Sequence, residues 1–364
     1  MVTRRGGDAP TMADVARLAA VSMMTVSRVV NGHANVQVAT RERVATAIRQ
    51  LGYIPHPDAR GLAGTRRVRI ALLYVDGVTP HIDQLLVGAV EQANDCGAQL
   101  VVSRCASGTD RLRAGDAVAR SAVHGAILPW PLCHDDGIRA MLSAAGVTPV
   151  TIAAGDSDAG PLTVMVDDRK AACAMTRHLF RLGHRHIGFV SGGDCDRAGP
   201  QCLAGYRDAL ASVQLPEERD LIVTGCADYR AGLQVADWLL DTARRPSAIF
   251  AASDEVAAAI IAVAHGRSVD VPADLTVCGY GDTAMASSIW PQLTTVRQPV
   301  ADMARTAVRM VMATLGRDES LALSGPAELG FQLVRRQSDA VPRLGHRHRS
   351  FLDPAEPASS STNA

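Results

Sequence analysis

From residue 68 onward, short runs of β-branched and aliphatic residues alternate with stretches of helical periodicity, and this alternation constrains the fold more than any other feature. The runs fall at 68–75, 99–105, 125–129, 149–153 and 163–167, and again at 187–191, 221–224, 248–253 and 275–280. Helical stretches near 170–182, 201–213, 230–243 and 255–266 separate the members of the second series. Strands that alternate with helices pair in parallel and are covered on both faces, which is why they run apolar throughout. The pattern predicts an α/β body of two doubly wound parallel-sheet lobes, whose ligands bind just beyond the carboxyl ends of the strands. A chain of 364 residues with 47% hydrophobic residues has enough apolar surface for such lobes. No run reaches the ~18 unbroken apolar residues of a membrane helix, so a membrane role is set aside.

The segment ahead of this body is different in kind. Residues 1–67 hold ten Arg against Asp8, Asp14, Glu42 and Asp58, whereas the rest of the chain holds 27 cations against 33 carboxylates. A net charge of zero therefore hides a basic front, suited to a polyanion if it folds. Thr11 and Asp14 have the spacing of a capping box, and Val15, Leu18 and Ala19 then share one face of a short helix. Ser22 can cap a second helix with Val26, Val29 and Val30 inward and Met23, Met24, Ser27 and Arg28 turned elsewhere. A third helix is expected over 38–51, with Val44, Ala47, Ile48 and Leu51 inward and Gly52 ending it. Two short helices so tightly joined suggest a helix-turn-helix, whose second helix can enter the major groove and set an arginine against guanine. On patterning alone, a plain three-helix mini-domain fits as well.

Linked motifs narrow the choice. Residues 12–22 (MADVARLAAVS), 25–32 (TVSRVVNG), 40–44 (TRERV) and 51–55 (LGYIP) occur in order and resemble the headpiece of the lactose/galactose repressor family of bacterial transcription regulators. The resemblance continues through 166–168 (VDD), 182–188 (LGHRHIG), 203–206 (LAGY), 250–254 (FAASD), 293–299 (LTTVRQP) and 333–336 (LVRR). It implies a helix-turn-helix headpiece at 1–55 and a hinge helix with linker at 56–67. It further implies a two-lobed effector-binding and dimerisation body of periplasmic-binding-protein type at 68–338, with 339–364 expected to be a disordered tail.

By the same resemblance, Met23, Met24 and Arg28 occupy base-reading positions, while Thr25, Ser27 and Asn31 support phosphate contacts. Methionine carries no hydrogen-bond code, so thymine methyls beside one arginine–guanine pair are the expected targets. Leu62 matches a leucine that the family wedges into the minor groove, with Arg60, Arg66 and Arg67 nearby to attract phosphates. A plain linker also fits 56–67, because Gly61 disfavours a helix by ~1 kcal/mol. Gln37 stands where the family usually has a capping serine.

In the body, the resemblance assigns Asp167, Ser253, Asp254 and Asp282 to cleft positions that bind hydroxyls, and Pro80, His81 and Leu85 to the first-lobe side. Asp254 and Asp282 are expected to accept hydrogen bonds from a neutral polyol, although an acid after a strand equally fits a helix cap. Three departures limit any transfer of ligand identity. Cys202 stands where the family often has an arginine, with Arg197 upstream as a possible substitute. Ala227 stands where many members stack an aromatic on the sugar ring, with Tyr229 the nearest candidate, and Gly281 replaces a frequent cleft aspartate.

Catalytic constellations are missing from the reading. The eight cysteines contain no Cys-x-x-Cys pair, Gly279-Tyr-Gly281 lacks a third glycine, and Ser191-Gly-Gly193 lacks a nucleophile elbow. His184 and His186 fit structural roles, and His346-Arg-His-Arg349 falls in the expected tail, so neither a metal nor a cofactor is implied. Arg4, Arg5 and Asp8 have no apolar stretch behind them, which suggests a cytosolic protein with reduced thiols. The expectation is a non-enzymatic, homodimeric regulator that represses carbohydrate uptake or catabolism genes. It would bind a near-palindromic double-stranded operator under the control of a sugar-like effector. Its rivals are a sugar-binding or sugar-modifying protein with a vestigial headpiece, and a purine-type regulator whose ligand tightens DNA binding.

Overall fold

The computed structural model describes residues 10–30, 36–53, 67–76, 79, 81–105, 110–154, 160–192, 198–225, 228–242, 244–318 and 325–343. The chain divides into two compact units at residue 69, with 97–99 grouped with the first.

The first unit contains α1 (Met12–Leu18), α2 (Met23–Val30) and α3 (Val38–Leu51). The capping box predicted at α1 is complete, with Asp14 N donating to Thr11 Oγ1 at 3.3 Å and Thr11 N donating to Asp14 Oδ2 at 3.0 Å. Ser22 Oγ accepts from Thr25 N at 3.1 Å and starts α2. The apolar faces of the helices meet in a core of Val15, Ala16, Ala19, Val26, Val44, Ala47 and Tyr53. Gln37 gives α3 no side-chain cap, whereas Gly52 ends it in the left-handed conformation.

The second unit begins with β1 (Arg69–Val75), α4 (Ile82–Asp95), β2 (Gln99–Cys105), α5 (Asp110–Arg120), β3 (Gly125–Pro129), α6 (Asp136–Ala144), β4 (Thr148–Ala154) and β5 (Thr163–Val166), which build a first lobe. A second lobe follows with α7 (Asp168–Leu182), β6 (Ile187–Ser191), α8 (Gly199–Ser212), β7 (Ile222–Thr224), α9 (Tyr229–Asp241), β8 (Ala248–Ala251), α10 (Asp254–Gly266), β9 (Thr276–Gly281), α11 (Ala284–Ser288) and β10 (Thr294–Arg297). Then α12 (Val300–Thr314) returns to pack on α4, β11 (Ala327–Leu329) joins the first sheet and β12 (Gln332–Val334) the second. The sheet orders are β11-β5-β4-β3-β1-β2 and β12-β10-β9-β8-β6-β7, with parallel ladders dominant and β12 antiparallel to β10. The predicted two-lobed parallel architecture is thus present. Among the described residues, no helix is long and apolar enough to cross a membrane.

Each lobe has its own core. Ala71, Leu73, Leu128, Ile138 and Leu142 fill the first. In the second, the Phe189 ring lies 5.1 Å from Tyr206 and 5.6 Å from Phe250, and the buried Tyr206 hydroxyl donates to Ile187 O at 2.8 Å.

Where the chain crosses between lobes, buried polar side chains tie the crossings together. Asp168, just after β5, accepts from the Tyr280 hydroxyl and from Gln298 Nε2, the latter at 2.6 Å. Gln298 itself lies on the crossing after β10, so one carboxylate joins two crossings and the end of β9. The segment expected to begin the tail is also anchored. Asp339 is buried, pairs with His178 Nε2 at 2.7 Å and accepts from Thr294 Oγ1 at 2.6 Å, so burial and pairing hold it in the body. Residues 344–364 lie outside the described residues.

Candidate functional site

Two surfaces collect the residues singled out by sequence. On the headpiece, α2 buries Val26 completely and leaves Met23 and Met24 58% and 64% exposed. Arg28, one turn beyond Met24, is exposed and forms no ion pair among the described residues. Two solvent-facing methionines beside an unpaired guanidinium make a surface suited to base edges rather than to a protein core. Thr25 is half-buried with Oγ1 2.9 Å from Ser22 Oγ, so it helps start α2, and Ser27 is half-buried as well. Asn31, Arg60 and Leu62 lie outside the described residues.

In the body, the strand ends of the two lobes approach one another at His81 and Gly281. His81 precedes α4 with φ +52°, in the left-handed region that few non-glycine residues occupy, and it makes no side-chain cap bond to that helix. A methyl group placed on Gly281 would meet the His81 ring at 3.1 Å and Asp254 Oδ2 at 3.6 Å. Gly281, at φ +124°, and Asp282, at φ +53°, continue the same unusual backbone on the second lobe. Strained positions of this kind cluster at ligand clamps and switch regions.

The carboxylates expected to meet a polyol already accept hydrogen bonds from within the protein. Asp254 is buried; its Oδ2 accepts from Thr283 N at 2.6 Å and Thr283 Oγ1 at 3.1 Å, and its Oδ1 accepts from Thr295 Oγ1 at 2.6 Å. Burial pushes this carboxyl above the usual carboxylate range against the pull of those hydrogen bonds, and the neighbouring Asp282 charge adds to the rise. Asp282 accepts from Arg297 Nε at 2.5 Å on one oxygen and from Arg336 Nη2 at 2.6 Å on the other. Asp167 is the cap of α7, with Lys170 N donating to Oδ1 at 2.8 Å and Lys170 Nζ 2.8 Å from Oδ2. Burial alone would raise the Asp167 pKa, but Lys170 outweighs it and holds the carboxyl low. Leu85, assigned to the cleft wall, is 2% exposed and is spent on packing.

Other assignments fare differently. Ser253 accepts from Glu255 N at 3.2 Å to cap α10 and remains half-exposed, with its hydroxyl proton still available. Tyr229, the first residue of α9, is 40% exposed. Cys202, at the position of the family arginine, is fully buried in the apolar cluster around Phe189, so this position carries no cation. Pro80 and Arg197 lie outside the described residues. The Asp168–Tyr280–Gln298 network and the partnership of Arg336 with Asp282 were not foreseen, since nothing local in the sequence marks pairings of such separation.

A helix-turn-helix with an exposed arginine and two exposed methionines, joined to a body of periplasmic-binding-protein type, defines a DNA-binding regulator. Residues 11–56 match the lacI family of bacterial regulatory proteins, and residues 176–338 match a periplasmic binding protein-like domain. The HTH-type transcriptional regulator CelR of Thermobifida fusca is 34% identical over 310 residues, covering 83% of this chain and 91% of that protein. Among solved structures, the lac repressor dimer bound to operator and the anti-inducer ONPF matches with a TM-score of 0.80 and 26% identity, over 92% of this chain and 100% of that one. A complex of transcriptional regulator CelR with cellobiose matches with a TM-score of 0.66 and 31% identity, over 90% and 99%. The chain belongs to the lacI family of bacterial regulatory proteins.

Proposed function

We propose that the protein is a cytoplasmic, homodimeric repressor of carbohydrate uptake or catabolism genes that works by binding rather than by catalysis. In this reading α2 lies in the major groove of each half of a near-palindromic operator, Arg28 reads a guanine, and Met23 and Met24 contact thymine methyls. Thr25, Ser27 and Asn31 support phosphate contacts, and Arg60 and Leu62 act at the minor groove. The observation that carries the reading is the pairing of an exposed, unpaired Arg28 with two exposed methionines on the second helix of a helix-turn-helix. The operator-bound lac repressor and the cellobiose-bound CelR support it as relatives.

A sugar-like effector would bind at the strand ends, with His81 and Ser253 as direct hydrogen-bonding partners. Asp254, beside Gly281, fixes the 281–283 loop that faces His81. Closure of the lobes on such a ligand would alter the spacing of the two headpieces in the dimer, and operator affinity with it.

Selection of an operator from random DNA, followed by gel-shift titration with cellobiose and a panel of mono- and disaccharides, tests this. A specific complex whose affinity changes at least about tenfold with one sugar is expected, a coupling within the usual allosteric range. The direction of the change separates release from corepression. Failure to select any specific DNA overturns the reading.

A further inference from the structure

Along α7 and α8 of the second lobe runs a charged groove that shares only Asp167 with the residues assigned to DNA or effector binding. Helices α7 and α8 approach closely at Gly205, where a methyl group would collide with the Arg169 carbonyl oxygen. Along this seam lies a concavity of about 400 Å³, within the size range of small-ligand sites. Its wall contains Cys173, and its rim carries Arg169, Lys170, Arg177 and Arg181 against Asp167 and Asp208.

The charges are unbalanced. Asp208 accepts from Arg169 Nε and Nη2 at 2.5 and 2.8 Å, and Asp167 lies 2.8 Å from Lys170 Nζ. Both rim carboxylates are thereby occupied. Arg177 and Arg181, exposed and one turn apart on α7, form no salt bridge among the described residues, although the Arg177 charge helps hold the Asp208 carboxyl low; the cations still outnumber the carboxylates four to two. Like charges at this spacing weaken a helix unless something lies between them. The groove is also connected to the first lobe, because Lys170 reaches Glu328 of β11 at 3.5 Å.

We propose that this groove binds a small multivalent anion bearing phosphate or carboxylate groups, gripped by Arg177 and Arg181 with Arg169 beside them, at a site separate from the sugar-type cleft. Guanidinium forks match such oxyanions in geometry as well as charge. The cleft position that holds a cation in many family members is here the buried Cys202, so a charged metabolite finds its cations on α7 instead. An anion that draws Lys170 toward itself loosens the Lys170–Glu328 link between lobes, which would let the site modulate the effector response.

Inorganic pyrophosphate is the probe, titrated calorimetrically into the full-length protein at low salt. In parallel, the rate of Cys173 alkylation by iodoacetamide is followed by peptide mass spectrometry. Wild type should bind with a Kd tighter than about 1 mM and show Cys173 alkylation slowed severalfold. The R177Q/R181Q variant should lose at least about tenfold in affinity, as removal of charge-assisted hydrogen bonds implies, and lose the protection. Its melting temperature should not fall and its operator binding should be that of wild type, because both side chains are exposed and lie outside the headpiece. Three results overturn the proposal: no binding, undiminished affinity in the variant, or binding without Cys173 protection, which would locate the anion on the basic headpiece.

Discussion

The His81 ring occupies the space into which a side chain at position 281 would grow: a methyl group on Gly281 would meet its Nε2 and Cε1 at 3.1 Å. A side chain at 281 would press on this ring and would also sit on a backbone at φ +124° that glycine adopts most readily, so ring and backbone both bear on the glycine.

The first prediction follows from that contact. Gly281→Ala places a Cβ on a backbone at φ +124°, a region costly to any L side chain, and also crowds a ring that can give way by a few tenths of an ångström. The expected loss is about 1–3 kcal/mol, read from denaturant midpoints. Removing the ring as well, in His81→Ala/Gly281→Ala, should restore the small steric part and leave the backbone part, giving a coupling well below the total loss. A coupling as large as the whole loss would mean that the ring, not the backbone, sets the need for glycine.

Asp282 gives a second prediction, opposite to the one its sequence position suggests. Its side chain is 7% exposed and bridges Arg297 and Arg336, of which Arg336 is the more buried at 15%. Asp282→Ala strips the partly buried Arg336 of its counter-charge and should destabilise by about 2–3 kcal/mol, below the range for fully buried pairs because Arg336 is only partly buried and Arg297 is solvated. Asp282→Asn tolerates φ +53° and keeps one hydrogen-bond acceptor, so it should lose less. Effector affinity of the folded Asn variant should match wild type. A large, selective loss of effector binding would return Asp282 to the ligand.

How much of this was legible in sequence depended on separation along the chain. Strands β1 to β9 announce themselves because doubly covered parallel strands run apolar for several residues, as at Ile127 and Leu128 or Phe189 and Val190. Strands β11 and β12, three residues each, are too short for any period, and the return of the chain to both sheets through them was invisible. For the site, Asp254 and Asp282 lie beyond strand ends as expected, but the partners that hold them inside the protein were not legible. The groups that engage them, Thr295 and Arg336, come from 41 and 54 residues away, and only the fold brings them together.

A third prediction concerns pH. His184 sits between Ser247 Oγ and Ala340 O, each 2.9 Å from a ring nitrogen, and burial lowers its pKa below the ordinary 6.5 despite the opposing hydrogen bond to Ala340. Protonation is therefore easier in the unfolded chain. The stability that this group contributes is fully present above 6.5 and is lost as pH falls from there through the folded value. Denaturant midpoints should fall on acidification from about pH 7.5 to pH 5.5, a window set by the imidazole range. His184→Gln should be less stable at neutral pH and should show a shallower acid loss. An unchanged slope in the variant would assign the acid sensitivity to another group.

The last prediction bears on DNA reading. Because Arg28 is exposed and unpaired, Arg28→Ala should leave the melting temperature unchanged, which separates recognition from folding. Operator affinity should drop by about 1–3 kcal/mol, with relaxed discrimination at one base position in each half-site. Arg28→Lys is the sharper variant: it keeps the charge, and with it the phosphate attraction and salt dependence, but lacks the fork that spans guanine O6 and N7. Lysine should therefore recover nonspecific affinity more than base preference. A base-substitution series on the selected operator decides the matter. Uniform weakening across all substitutions in Arg28→Ala, with base preference intact, would make Arg28 a phosphate contact and move sequence reading to the neighbouring side chains of α2.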